Sequence, residues 1–235
     1  MRFGTYHVFQ CPPGQEPARV VAEELARAEL AEALGFDDIW VPEQHFSPYC
    51  LAGDALLLAG HLAARTRRVC IGTAVVNLTF THPLRFAEQV EEFARYRAAL
   101  AAAGVDAAPV LARATVLKYA FLAPTRAEAR TLAREALEWD LAILQHLTTP
   151  TTTEMPRGYE LYERRGGRLP EYAYDGWLEH VLLFDDPDGC AEKIARLRDA
   201  GIERLLLWMG PGGVRHDLLV RSMRLFAEAV MPHFR

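Results

Sequence analysis

The sequence predicts an α/β fold in which short parallel strands alternate with helices. Apolar runs of strand length, rich in β-branched and aromatic residues, cover residues 2–9, 39–41 and 69–76. Stretches with helical periodicity separate these runs, as expected of parallel βαβ units. Polar residues follow the strand ends, and in α/β folds the carboxyl ends of the strands carry the chemistry.

Composition limits the classes of protein to which the chain can belong. With 235 residues, 51% hydrophobic and 24% charged, it is long enough for one sizeable core, and we expect a single domain over residues 1–235. The net charge of -5, with both signs interspersed, argues against nucleic acid as a partner. Four cysteines without metal-ligand spacing predict reduced thiols in a cytoplasmic protein, and the absence of a long apolar run argues against a membrane.

The first half of the chain reads as β-α-β-α-β. Pro12-Pro13-Gly14 ends the first strand, and a helix is predicted over residues 17–34. Glu24 and Glu32 lie on the apolar face of this predicted helix and weaken its periodicity. The helix prediction therefore depends equally on the many good helix-forming residues in this stretch. Gly35 is expected to end this helix in a left-handed conformation. A second helix, over residues 54–65, is rich in small residues that allow close approach of a neighbouring helix: Ala55, Ala59, Gly60, Ala63 and Ala64.

The second half adds two strand candidates, over residues 109–122 and 204–208. A long helix is predicted to begin at Pro83 and end at Gly104. Further helices are predicted over residues 125–147, 186–198 and 218–231, the first with Leu132, Ala136, Trp139 and Ile143 on its apolar face. Residues 148–175 are predicted to form a long mobile loop. The count of about five strands falls short of the eight in a closed barrel, so we expect exposed sheet edges and an oligomer.

Several short motifs occur in one order along the chain. They are Leu-Gly-Phe-Asp at 34–37, Glu-Gln-His-Phe at 43–46, Ile-Gly-Thr-Ala at 71–74 and His-Pro at 82–83. In this order they resemble the luciferase-like flavin-dependent monooxygenases, the family of bacterial luciferase. The resemblance implies an incomplete (β/α) barrel of TIM type, because several β/α units of that family, including its contacts to the flavin phosphate, are missing after residue 90.

The resemblance also implies candidate site residues. Glu43 and His45 match catalytic positions of the family, with His45 either transferring protons or serving as a structural partner of Glu43. Gln44 stands where luciferase has a proton-handling histidine, which makes aldehyde chemistry of the luciferase kind doubtful. Ala74-Val75 matches a non-proline cis peptide beneath the flavin ring, with an ordinary buried strand as the alternative. The expected cofactor is reduced FMN, with the deazaflavin F420 less favoured, and no metal is assigned.

Two function classes follow from these observations. The first is an FMN-dependent monooxygenase or oxidoreductase acting on a small organic substrate, with a flavin reductase as a candidate partner. The second is a non-catalytic flavoprotein or subunit-pairing remnant of the family. Loss of the phosphate contacts predicts weak or lost FMN binding. Helices at the position of residues 54–65 pair subunits in that family, so a homodimer, or a heterodimer with a relative, is expected; packing on the sheet is the alternative for this helix.

Overall fold

A computed structural model describes residues 1–75, 115–148, 182–199 and 202–235. Within these ranges the strands are β1 Arg2–Tyr6, β2 Asp38–Val41, β3 Cys70–Thr73, β4 Thr115–Leu122, β5 Leu183–Asp185 and β6 Arg204–Met209. The helices are α1 Pro17–Ala33, α2 Ala55–Arg65, α3 Arg126–Thr148, α4 Pro187–Asp199 and α5 His216–Ala229, followed by the 3-10 helix Met231–Phe234. The predicted helix from Pro83 to Gly104, residues 109–114 of a predicted strand and the predicted loop from residue 149 onward lie outside the described residues.

The six strands form one sheet in the order β3-β2-β1-β6-β4-β5, and every pair is parallel. This arrangement confirms the predicted α/β class. The sequence analysis did not predict β5, because its three residues are too few for a period of two to be recognised. β5 lies outside β4, so the chain passes over β4 on its way to β6. In the described part of the chain, β3 and β5 are the two ends of the sheet.

The two glutamates that conflicted with the apolar face of α1 both have partners. The carboxylate of Glu24 accepts from His7 at 2.9 Å and Arg27 at 2.8 Å. Burial alone would raise the pKa of Glu24, but Arg27 and His7 outweigh burial and lower this pKa to about 2. Glu32 accepts backbone N–H groups of Arg67, Arg68 and Val69, and so fixes the turn that leads into β3. Each glutamate stabilises a contact outside its own helix.

Aromatic packing joins the first strand to the end of the chain. The ring of Phe3 meets Phe226 of α5 edge-on at 5.5 Å and Phe234 at 6.2 Å. Phe36 stacks on Phe226 from the other side at 6.0 Å. Gly35 has a φ of +88°, as expected for the residue that ends α1.

The buried face of α3 differs from the predicted one. Its buried residues are Ala129, Ala133, Ala136, Leu137 and Asp140. Leu132, predicted on the apolar stripe, is exposed instead, whereas Ala136 is buried as predicted. The sequence analysis placed the apolar face on the side of the large residues Leu132 and Trp139. The structure buries the side with alanines, because small side chains allow α3 to approach the sheet closely.

Candidate functional site

The candidate site lies where β1, β2 and β3 end. His45 Nε2 lies 2.9 Å from Glu43 Oε1, and their side chains are 18% and 4% exposed. The two residues lie two positions apart in the loop that follows β2. Between them, the backbone N–H of Gln44 donates to the carbonyl of Ala52 at 2.9 Å and fixes the loop. The structure therefore brings the two predicted catalytic residues together.

The peptide bond between Ala74 and Val75 is cis, at the position where the sequence analysis expected it. The backbone N–H of Ala74 donates to the carbonyl of Val41 at 2.9 Å, and the hydroxyl of Tyr6 donates to the carbonyl of Ala74 at 2.8 Å. These bonds hold Ala74 against the ends of β1 and β2. Val75 remains 65% exposed at the rim.

A row of aromatic side chains crosses four strands just below this rim. Strand register places Tyr119 of β4, Trp208 of β6, Tyr6 of β1 and Trp40 of β2 side by side, on the sheet face opposite Phe3. Trp208 stacks on Tyr119 with ring centroids 4.4 Å apart and meets Tyr6 edge-on at 5.6 Å. We call these four residues the aromatic row.

A glycine ends the aromatic row on β3. Gly72 pairs with Trp40, and a Cβ at Gly72 would lie 2.7 Å from the indole ring. Since such a contact is too short, any side chain at this position would displace Trp40 from β3. The glycine of the Ile-Gly-Thr-Ala motif thus has a packing function.

A buried polar network ties the loops after β1 and β6 to α3. The amide of Gln10 donates to Asp140 Oδ1 and its Oε1 accepts the backbone N–H of Gly212, while the hydroxyl of Tyr119 donates to Asp140 Oδ2 at 2.7 Å. A Cβ on Gly212 would lie 2.4 Å from the Cβ of Gln10, so glycine is needed there. We call Asp140, Gln10, Tyr119 and Gly212 the Asp140 bridge.

Asp140 has an unusual protonation equilibrium. Its side chain is fully buried, and burial raises its pKa to about 6 against the lowering effect of the hydrogen bonds from Tyr119 and Gln10. Burial and the nearby Asp140 carboxylate also raise the pKa of Tyr119. This network was missed by the sequence analysis. The available signal was an aspartate four residues after Ala136 on the buried face of α3.

In the described residues the sheet is all-parallel, and the polar groups above lie at the carboxyl ends of its strands, which is where α/β proteins generally bind their ligands. The model of the luciferase-like monooxygenase family matches residues 1–93. The alkanal monooxygenase alpha chain of the Kryptophanaron alfredi symbiont is 32% identical over 90 residues, which make up 38% of this chain and 25% of that protein. The chain thus spans about a quarter of the length of the curated relatives it matches.

Two solved structures resemble this chain in fold. One is the FMN complex of the oxygenating constituent of 3,6-diketocamphane monooxygenase, a type II Baeyer-Villiger enzyme from Pseudomonas putida. It has a TM-score of 0.66 and 13% identity, with 100% of this chain and 99% of that chain covered. The other is an F420-dependent secondary alcohol dehydrogenase with an F420-acetone adduct, with a TM-score of 0.59, 13% identity and the same coverage.

The first 93 residues of the chain match the luciferase-like monooxygenase family, and residues of the same part resemble alkanal monooxygenase alpha chains. The predicted resemblance and the predicted α/β fold of the TIM-barrel type are both confirmed. The partial coverage of its relatives agrees with the predicted shortening. In the described ranges, none of the helices has both the length and the apolar character required to cross a bilayer.

Proposed function

We propose that this protein is a flavin-dependent monooxygenase or oxidoreductase that uses reduced FMN to act on a small organic substrate. The contact between His45 and Glu43, beside the exposed rim of Ala74 and Val75, carries this proposal. All four residues lie at the carboxyl ends of two neighbouring strands, where α/β proteins bind their ligands.

The rim fits the ring system of a flavin better than its phosphate. Ala74 and Val75 offer a partly exposed apolar surface fixed to β1 and β2, on which a flat ring can lie. Residues 42–54, which follow β2, contain no Lys or Arg that could hold the phosphate. Ala74, Val75 and Gln44 would therefore contact the ring, and the affinity for FMN would be low. When bound, reduced flavin would supply the electrons for oxygen activation.

His45 is the residue proposed to handle protons. Its Nε2 atom lies 2.9 Å from Oε1 of Glu43, a contact that would fix the orientation of the ring. Gln44 carries a neutral amide that takes up no proton near neutral pH. A single histidine with a carboxylate partner would suit one proton transfer during oxygenation or hydride transfer.

The choice of cofactor and partners extends this proposal. One structural neighbour was solved with FMN and another with F420, and FMN remains our first choice because the N-terminal match is to monooxygenases. A flavin reductase in the cytoplasm would supply the reduced cofactor. The matched alkanal monooxygenase relatives are alpha chains, which supports pairing of this chain as a homodimer or with a relative.

A second candidate function is a non-catalytic flavoprotein or subunit-pairing protein of the same family. The absence of Lys and Arg from residues 42–54 favours it, because such residues would supply charge-assisted hydrogen bonds to the flavin phosphate.

Titration with oxidised and with reduced FMN, followed by flavin fluorescence, separates the two candidates. The enzyme requires saturable one-to-one binding of reduced FMN and faster oxygen consumption when a reductase is present. Val75→Glu should weaken this binding, because it places a carboxylate where the ring would lie, whereas Leu132→Glu on α3 should not. A protein without any affinity for either form would eliminate the enzyme; FMN binding without oxygen consumption would favour the non-catalytic flavoprotein.

A further inference from the structure

A cleft of about 310 Å³ lies at the carboxyl ends of β4 and β5, on the opposite end of the sheet from Ala74. It opens between the first two turns of α3 and residues 189–196 of α4. Four basic side chains and two acidic ones line it: Arg126, Arg130, Lys193, Arg196, Asp185 and Glu192. We call this the basic cleft.

Buried Asp185 organises the inner part of the basic cleft. It accepts from Arg126 Nε at 2.7 Å and lies 3.1 Å from Lys193 Nζ. Burial would raise the pKa of Asp185, but the hydrogen bonds from Arg126 and Lys193 outweigh it and lower this pKa. Gly189 makes room for the arrangement, because a Cβ there would lie 2.4 Å from Asp185 Oδ1 and 2.8 Å from Arg126 Nη2. The position of Arg126 is therefore set by packing as well as by charge.

The outer part of the cleft is open to solvent. Arg196 Nη2 lies 2.8 Å from Glu192 Oε1, and both side chains are largely exposed. Among the side chains that line the basic cleft, four are cations and two are carboxylates, and the nearby carboxylate of Asp186 also acts on Arg126. A phosphate group carries about -1.5 to -2 charges at pH 7 and accepts the forked donors of arginine well. The arginine-rich lining therefore suits an anion of this kind.

The starts of the two helices do not supply the donors by themselves. The N–H of Glu128 donates to Thr125 Oγ1 at 3.2 Å, and the N–H of Gly189 donates to Asp186 Oδ1 at 2.9 Å. Side chains must therefore make the contacts. The helix dipoles add a favourable field for an anion at the same place.

We propose that the basic cleft binds the phosphate group of a small molecule, either inorganic phosphate or a phosphate monoester. Its volume is at the lower end of the range of small-molecule sites, which suits one phosphate group with a short organic part. The cleft lies next to β5 and the rim at Ala74 follows β3, at opposite ends of the strand order, and the two share none of their lining residues.

The test is a titration of the ¹⁵N-labelled protein with inorganic phosphate and, separately, with glycerol phosphate, at constant ionic strength set by chloride and without flavin. Saturable shifts are expected at the Gly189 amide and the arginine Nε signals. Tighter binding of glycerol phosphate would identify an ester as the ligand, and equal binding would identify the free anion.

Three variants make the test specific. Arg196→Gln should weaken phosphate binding about tenfold, because it removes a charged donor. Glu192→Gln should strengthen binding about twofold to threefold, because it removes a competing carboxylate. Arg19→Gln, which breaks a comparable exposed pair with Glu23 on α1, should leave binding unchanged. Shifts that do not saturate, or equal affinities in all three variants, would overturn the proposal.

Discussion

Single residues decide whether the site can move a proton. His45 and Glu43 are in contact, and the same contact suits both a proton-transfer pair and a fixed loop. The structure confirms that the two residues are neighbours. A variant that retains the loop but removes the imidazole ring of His45 distinguishes proton transfer from a purely structural contact with Glu43.

His45→Gln should reduce flavin-dependent oxygen consumption about 100-fold, since general acid–base groups typically contribute this much. The affinity for FMN should change little, because the imidazole is proposed to handle protons and not to hold the ring. Stopped-flow reoxidation of reduced FMN measures both quantities, and His61→Gln on the exposed face of α2 is the control. If His45→Gln lowers only the thermal midpoint, the ring is a structural partner of Glu43.

Asp140 links stability to pH. Its pKa is raised to about 6 in the folded protein, so the folded state retains a proton that the unfolded state releases at lower pH. The stability that comes from this proton is complete below the unfolded pKa and is lost as pH rises toward 6. At pH 7 the ionised carboxylate therefore costs up to about 3 kcal/mol.

Asp140→Asn should remove this pH dependence. The free energy of unfolding of the wild type, minus that of the variant, should fall by about 1–3 kcal/mol between pH 4 and pH 7. Urea denaturation at several pH values measures it, with Asp188→Asn at an exposed position of α4 as the control. A difference that stays constant with pH would show that the carboxyl group of Asp140 titrates alike in the folded and unfolded states, and so would contradict a raised pKa in the folded protein.

At the scale of elements, α2 is a helix of which most residues are not buried in the described structure. Only Ala55 and Leu62 of this helix are buried. Four of its six exposed residues are small or apolar, the other two being His61 and Arg65: Leu57, Gly60, His61, Ala63, Ala64 and Arg65. Asp54 caps the helix through the N–H groups of Leu56 and Leu57, so its start is fixed without help from a partner. The subunit interface remains a prediction.

Ala63→Glu should weaken self-association by at least tenfold if two copies of α2 pack together, because it places a charge between closely approaching helices. Sedimentation velocity over a range of protein concentrations measures this effect. Ala127→Glu, at an exposed position in the first turn of α3, serves as the matched control. Identical sedimentation of all three proteins would place any interface elsewhere.

At the scale of the whole molecule, contacts far apart in sequence complete the core. Phe234 packs against Phe3, and the guanidinium of Arg198 lies 5.6 Å from the centre of the Phe234 ring. Arg235 forms an ion pair with Asp37 at 3.4 Å. The last turn of the chain therefore covers the start of the sheet.

Phe234→Ala should lower the free energy of unfolding by about 3 kcal/mol, because it leaves a cavity beside Phe3 and Phe226. Phe46→Ala is a suitable control, since that ring is 98% exposed and its loss should change stability by less than about 0.5 kcal/mol. Urea denaturation compares the two variants. Similar losses in both would mean that the packing of the last turn contributes little to the core.

Much of the candidate site could be predicted from local sequence. The motif at residues 43–46 and the cis peptide at Ala74 and Val75 were predicted from the family resemblance, which short motifs at strand ends were enough to reveal. The Asp140 bridge could not be found in this way, since Gln10 and Asp140 are 130 residues apart and meet only when α3 packs on the sheet. The aromatic row likewise depends on strand register, which periodicity does not reveal.

The sequence by itself determined the alternation of strands and helices, the turn at Gly35 and the polar rim after β2. These features depend on neighbours a few residues away, where periodicity and backbone preference act. Only the tertiary structure decided the position of β5 outside β4, the side-by-side placement of Trp40 and Gly72, and the burial of Asp140. These features arise from packing between distant segments, because the free energy of burying a side chain depends on what the rest of the chain places around it.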